Sequence, residues 1–225
     1  MMRKALVSLN IGNRKEAALS RPFHESYCLR HNIDRIVIKQ RQLYLKPSRW
    51  KPRLGLHLEK FQIAELFAHY DRIAYVDSDV LIHLDAPDLF AQVDAEEIGC
   101  VFEDIGSEAW KRREEWDKAE TLLGPLSRKY RYFNAGVLVF GKIHKPLFNL
   151  SLGIPGGRWP DQTFLNYHSR KLGMKVRELP RSFNFLPVFP GWQEASVRRE
   201  NWCVHYAGRK NKVLMQADAR SVERL

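Results

Sequence analysis

Asp77 and Asp79 stand in the run "AYVDSDVLI" (74–82), where every other residue except Ser78 is apolar. An isolated buried carboxylate costs several kcal/mol, roughly, unless a cation takes up its lone pairs, so two in one apolar run are not packing residues. On a strand, residues two apart point the same way, and both carboxylates are then expected on one side with Ser78 on the other. A pair of hard oxygen ligands with open positions suits Mg²⁺ or Mn²⁺, which keep sites free for phosphate oxygens. The competing reading is two solvated aspartates at a strand end.

Three further stretches carry groups of the same kind. In "FNAG", Asn134 can donate to and accept from hydroxyls, while Ala135 and Gly136 let backbone approach a ligand closely. In "PDQTFLN", Asp161 and Gln162 follow Pro160 at the start of a helix-spaced run, and Asp161 either caps that helix or does chemistry. His205 follows the apolar "NWCV" and precedes Tyr206-Ala207-Gly208, as a core histidine or as a metal ligand through a neutral ring nitrogen.

Strands alternating with helices must position these groups. "KALVSLNIG" (4–12), a helix over 14–32 despite Pro22, and "DRIVIK" read as a βαβ opening. A Pro-punctuated loop (42–55) precedes a helix marked by Leu56, Ile63, Leu66, Phe67 and Tyr70, and then the DxD strand. A strand at 98–104, a charged helix at 107–124, the apolar 132–140, a helix from about Asp161 and late strands near 175–180 and 201–208 complete the order. This alternation predicts an α/β fold with a mixed, mostly parallel central sheet flanked by helices. Carboxylates at strand ends then lie where open α/β sheets bind ligands.

Composition narrows the class. With 225 residues, 44% hydrophobic and 12% aromatic, the chain is sized for a single domain spanning 1–225. No run approaches the ~18 apolar residues of a membrane span, and the start lacks a cleavage site, so a cytoplasmic protein is expected. Cys28, Cys100 and Cys203 lie far apart and are expected reduced. The excess of 37 basic over 26 acidic residues, net +11, attracts polyanions. It is compatible with nucleotide phosphates, with peripheral contact at an inner membrane face, or with nucleic acid. The aromatic and cationic loop containing Tyr44 and Trp50 is the best feature for nucleic acid, and with "FPGWQ" (189–193) it is a candidate acceptor surface.

Two enzyme classes place DxD at the end of an apolar strand. The pattern also matches haloacid-dehalogenase-like phosphatases, but those begin with the DxD strand and later need a lysine and an acidic pair. Here some 70 residues and a βαβ unit come first, and Asp161 is followed by Gln162. Four blocks, "YDRIAYVDSDVLI" (70–82), "YFNAGVLVF" (132–140), "DQTFLN" (161–166) and "VHYAG" (204–208), fall in the order and rough spacing of GT-A-fold glycosyltransferases of family 8. The chain resembles the glycogenin and galactosyltransferase-like group.

That resemblance implies a GT-A, Rossmann-like domain that moves a hexose from a UDP-sugar, with retention, to a glycan or glycolipid acceptor. It implies no specific nucleic-acid partner. It implies Mn²⁺ or Mg²⁺ on Asp77, Asp79 and His205, with Asp161 and Gln162 facing the transferred sugar. It further implies donor contacts from Ser8, Asn10, Lys60, Ser78, Asn134, Ala135, Gly136 and Gly208. The family pattern has a lysine three residues after that glycine. Asn211 stands there, flanked by Lys210 and Lys212, and either lysine could neutralise the leaving diphosphate.

Overall fold

The computed structural model describes residues 2–43, 54–126 and 131–222. Tyr44, Trp50 and most of their loop lie outside the described residues. In chain order the elements are β1 (Lys4–Leu9), α1 (Lys15–His31), β2 (Asp34–Ile38), α2 (Leu54–Leu58), α3 (Ile63–Leu66), β3 (Arg72–Val76) and β4 (Val80–Ile82). Then come β5 (Glu97–Cys100), α4 (Ala109–Leu123), β6 (Val137–Gly141), α5 (Pro160–Lys171), β7 (Lys175–Glu178), α6 (Ala195–Arg199), β8 (Cys203–His205) and α7 (Lys212–Val222).

Six strands form the central sheet in the order β2-β1-β3-β6-β5-β7, and β4 pairs with β8 in a separate two-stranded sheet. β6 runs antiparallel to both neighbours, and the remaining pairings in the large sheet are parallel, so the sheet is mixed and mostly parallel as expected. β3 and β6 are buried throughout and read as near-continuous apolar runs, as strands covered on both faces do.

Strand alternation divides the core. On one face Leu6, Ala74 and Val76 pack with Phe23 and Tyr27 of α1. On the other, Ala5, Val7, Ile73 and Tyr75 pack with Phe61, Phe67 and Phe164. α1 carries Pro22 in its interior, which removes one helix hydrogen bond, and its buried Phe23, Tyr27 and Cys28 hold it to the sheet regardless. It ends at Asn32 in the left-handed conformation (φ 53°), whose N–H returns to the Cys28 and Leu29 carbonyls.

Two expected elements differ. The helix over 56–70 is broken into α2, a 3₁₀ turn at Glu59–Gln62 and α3, so Glu59, Lys60 and Phe61 are all turned inward. The apolar stretch 132–140 is a strand only from Val137; before it Phe133 makes a single bridge to Phe102, and the chain bends inward through Asn134, Ala135 and Gly136. The three cysteines are free and buried. Among the described residues no helix is long and apolar enough to cross a membrane.

Candidate active site

β3 ends at Val76, and Asp77-Ser78-Asp79 form the turn into β4 rather than part of a strand. The two carboxylates face the same way because this turn is clamped, not because of strand alternation. Asp77 N–H donates to Gly136 O (2.8 Å), Val80 N–H to Asp77 O (3.1 Å), and Tyr206 N–H to Asp79 O (2.9 Å). Those bonds join three of the sequence blocks through backbone alone. His205 arrives by a route not expected: β8 lies outside the central sheet, and its antiparallel pairing sets His205 opposite Val80.

The result is a cluster in which one ligand-type atom each of Asp77, Asp79 and His205 lies within 4.8 Å of the others. His205 Nε2 is 3.3 Å from Asp79 Oδ1 and 3.8 Å from Asp77 Oδ2. Tyr75 OH donates to Asp77 Oδ1 at 2.6 Å. Lys212 Nζ donates to Asp79 Oδ2 and, at 3.0 Å, to Tyr206 O. Burial disfavours the charged form of both Asp79 and His205, yet each favours the other's charge. Asp79 is held below the carboxylate range by His205 and Lys212, and His205 is raised above 6.5 by Asp79 and Asp77. Two hard carboxylate oxygens and one imidazole nitrogen, already polarised toward a positive charge, fit Mn²⁺ or Mg²⁺.

Lys60 is not a surface lysine. It is buried, its Nζ lies 2.6 Å from Asp161 Oδ2, it donates to Ala135 O (3.2 Å), and it sits 4.6 Å from the centroid of Tyr75. Burial alone would lower its pKa, but Asp161, Asp77 and Asp79 outweigh that and raise it. Asp161, likewise buried, is lowered by Lys60 and His57 against the cost of burial. The N-cap position of α5 is Trp159, with Pro160 in the first turn, and the Asp161 carboxylate is turned to Lys60 instead of capping. Gln162 accepts from Ala135 N–H (2.9 Å) and donates to Glu103 (2.6 Å).

A cleft of about 420 Å³ collects Lys60, Asp77, Asp79, Asn134, Ala135, Asp161, Gln162, His205 and Gly208. Neighbouring cavities around Ser78 and Asp79 are lined by Leu9, Ile11, Arg14, His57, Arg209 and Lys212. Several assignments need correction. Ser8 and Asn10 line a different cavity, on the α1 side, while Leu9, on the opposite face of β1 from Ser8, and Ile11 in the turn beyond it line the cavity beside the DxD turn. Asn10 Oδ1 instead accepts from Arg14 N–H at 2.9 Å. Lys212 reaches Asp79, whereas Lys210 is exposed and lines none of these cavities. Gly136 is required by a side chain: a Cβ there would lie 2.1 Å from His205 Cε1. Gly208 adopts φ 90°, a conformation that favours glycine. Phe189 and Trp192 are buried, with Trp192 Nε1 donating to Phe185 O, so "FPGWQ" does not present its rings at the surface.

Sequence reading missed Tyr75, Glu103, Arg112, Asn184 and Arg14. Glu103 carried the signal that exposed the DxD, an acid closing the apolar run "IGCVF". Asn184 sits between two phenylalanines, the mark of a buried and satisfied amide.

The fold and this cleft have counterparts among solved proteins. A glycosyltransferase involved in the glycosylation of the major capsid of PBCV-1 superposes with TM-score 0.62 at 14% identity, covering 98% of this chain and 99% of that one. The galactosyltransferase LgtC, in complex with donor and acceptor sugar analogs, gives 0.56 at 17% identity, over 96% and 95%. Mouse xyloside xylosyltransferase 1 gives 0.55 at 14%, over 91% and 98%. At these identities the likeness is one of fold, the GT-A fold. No sequence among curated proteins matches the chain. The sequence model of glycosyl transferase family 8 matches residues 13–143, more than half of the chain and a span holding the DxD turn and the FNAG bend. The chain therefore belongs to glycosyl transferase family 8, and it is a glycosyltransferase.

Proposed function

We propose that the chain, 1–225 as one domain, transfers a hexose from a UDP-sugar to a hydroxyl of a glycan or glycolipid, with retention, and that it requires Mn²⁺ or Mg²⁺. The observation that carries this reading is the Asp77–Asp79–His205 cluster lining the same cleft as the buried Lys60–Asp161 pair. Bound there, the divalent ion would neutralise charge developing on the leaving diphosphate. The C1–O bond to the diphosphate breaks, a C1–O bond to the acceptor forms on the same face of the ring, and the acceptor hydroxyl's proton passes to the departing diphosphate oxygen.

The chain's own residues divide the remaining work. Lys212 and Arg209, beside Asp79, supply cations for the diphosphate, with Ser78 and Gly208 in contact reach of it. Asp161, kept ionised by Lys60, faces the transferred sugar with Gln162, orienting its hydroxyls and countering positive charge at C1. The Asn134 amide is engaged by Glu103, Asn184 and the Gly136 N–H, so its part is to hold the cleft wall. Trp159 and Arg158, which also line the cleft, suit the acceptor. A cytoplasmic enzyme whose +11 charge brings it to anionic acceptors at the inner membrane face is consistent with this chemistry.

The test is a screen of nucleotide-sugars with Mn²⁺, read as release of free nucleoside diphosphate. Release with a UDP-sugar that stops in excess EDTA and in Asp79→Ala is expected. Turnover that persists in EDTA would overturn the metal requirement, and release of inorganic phosphate from phosphoesters instead would favour the phosphatase class.

A further inference from the structure

Behind the cluster, His205 Nδ1 lies 3.1 Å from Asn184 Oδ1, with both residues buried. The direction of that bond follows from a backbone group. Gly136 N–H can only donate, and it points at Asn134 at 2.8 Å, so the atom there is the Asn134 carbonyl oxygen, Oδ1. The other Asn134 arm is then its NH₂, and it faces Glu103 Oε2 at 3.1 Å, an acceptor. Asn134 Oδ1 also meets Asn184 at 3.0 Å, which must therefore present its own NH₂ there. That leaves Asn184 only its carbonyl for the histidine, so His205 Nδ1 must carry the proton. Turning either amide over would set donor against donor or acceptor against acceptor.

We propose that Asn184 is the positioning residue of this site: it holds the Nδ1–H of His205 and so presents the Nε2 lone pair to a divalent cation beside Asp77 and Asp79. The role rests on the metal reading above. Asn184 is well placed for it, since the Phe185 N–H and carbonyl bond to Cys203 O and His205 N on either side of Val204, which locks the amide alongside β8. The far end of the relay is equally fixed, because Glu103 also accepts from Arg112 at 3.0 and 3.1 Å. An acceptor behind a ligating histidine orients the ring and raises its basicity.

The experiment measures Mn²⁺ affinity, from the paramagnetic signal of free Mn²⁺ in the presence of UDP, for wild type, Asn184→Leu, His205→Ala and the double variant. Asn184→Leu is expected to weaken Mn²⁺ by about 10- to 100-fold in the wild-type background and by nothing measurable once His205 is gone. Equal losses in both backgrounds would mean Asn184 acts only through general structure and would overturn the proposal. Wild-type protein that binds no Mn²⁺ would overturn the metal reading itself. Nitrogen-correlated NMR of the His205 ring in wild type needs no variant: a solvent-protected proton on Nδ1, in the metal-free and Mg²⁺ states, is expected. A ring with no proton on Nδ1 would overturn the relay.

Discussion

The buried Lys60–Asp161 pair separates a catalytic carboxylate from a helix cap. Asn caps a helix nearly as well as Asp, so a cap would tolerate Asp161→Asn. In this structure the substitution leaves a buried ammonium beside a neutral amide, and breaking a buried pair costs about 3–5 kcal/mol. Urea unfolding of Asp161→Asn is expected to show a loss on that scale, with turnover down roughly a hundredfold or more. Adding Lys60→Met should restore much of the stability and none of the activity; restored turnover would show the pair to be structural. Gly136→Ala is a second residue-scale case. Its Cβ would occupy the place of the His205 ring, so Mn²⁺ affinity should drop far more than for Ala substituted at an ordinary buried strand position. The chemical types of Asp77, Asp79 and His205 were legible because each is a polar group beside or within an apolar run, and that of Asp161 because it opens a helix-spaced run. Asn184 was not, since it meets His205 only in the folded chain, and Tyr75, two residues from Asp77, read as one more apolar member of the strand.

At the scale of elements, α1 is tied to the strand that follows the DxD turn. His24, buried on α1, lies with Nε2 2.9 Å from Val80 O, the residue opposite His205. Burial lowers its pKa from 6.5 to about 4, against the opposing effect of the Val80 bond. The unfolded chain therefore takes up this proton first, and stability falls as pH drops from about 6.5 toward 4, then levels for this group. The drop corresponds to about 3 kcal/mol at 1.36 kcal/mol per tenfold step. Denaturant midpoints across that window should show this slope, and His24→Leu should flatten it while losing about 1 kcal/mol for the bond at neutral pH. An unchanged slope would remove His24 as its source. Element order was legible from alternating patterns. The break at 59–62 and the detachment of β8 were not, because periodicity over a window is the same for a continuous helix and one interrupted by a 3₁₀ turn.

For the whole molecule, metal and nucleotide should stabilise the fold together. At free ligand about a hundred times Kd the gain is about 2.7 kcal/mol, or roughly 5–10 °C in Tm for a chain of this length. The shift should need both UDP and Mn²⁺, appear as one cooperative transition, and persist at moderate salt. A comparable, salt-sensitive shift with nonspecific RNA or DNA would favour the nucleic-acid reading of the +11 charge.

What the sequence by itself determined was the α/β class, the family resemblance and the types of the cluster residues, since these follow from local patterns of apolar and polar groups. What only the tertiary structure decided was which of those groups meet. Ser8 and Asn10 line a cavity on the α1 side, Lys212 reaches Asp79 while Lys210 does not, and His205 arrives through a second sheet. The Lys212 and His205 outcomes depend on long-range pairings around the DxD turn, the Gly136 carbonyl on Asp77 and Tyr206 on Asp79. Those partners lie tens of residues apart or more, beyond any local spacing rule.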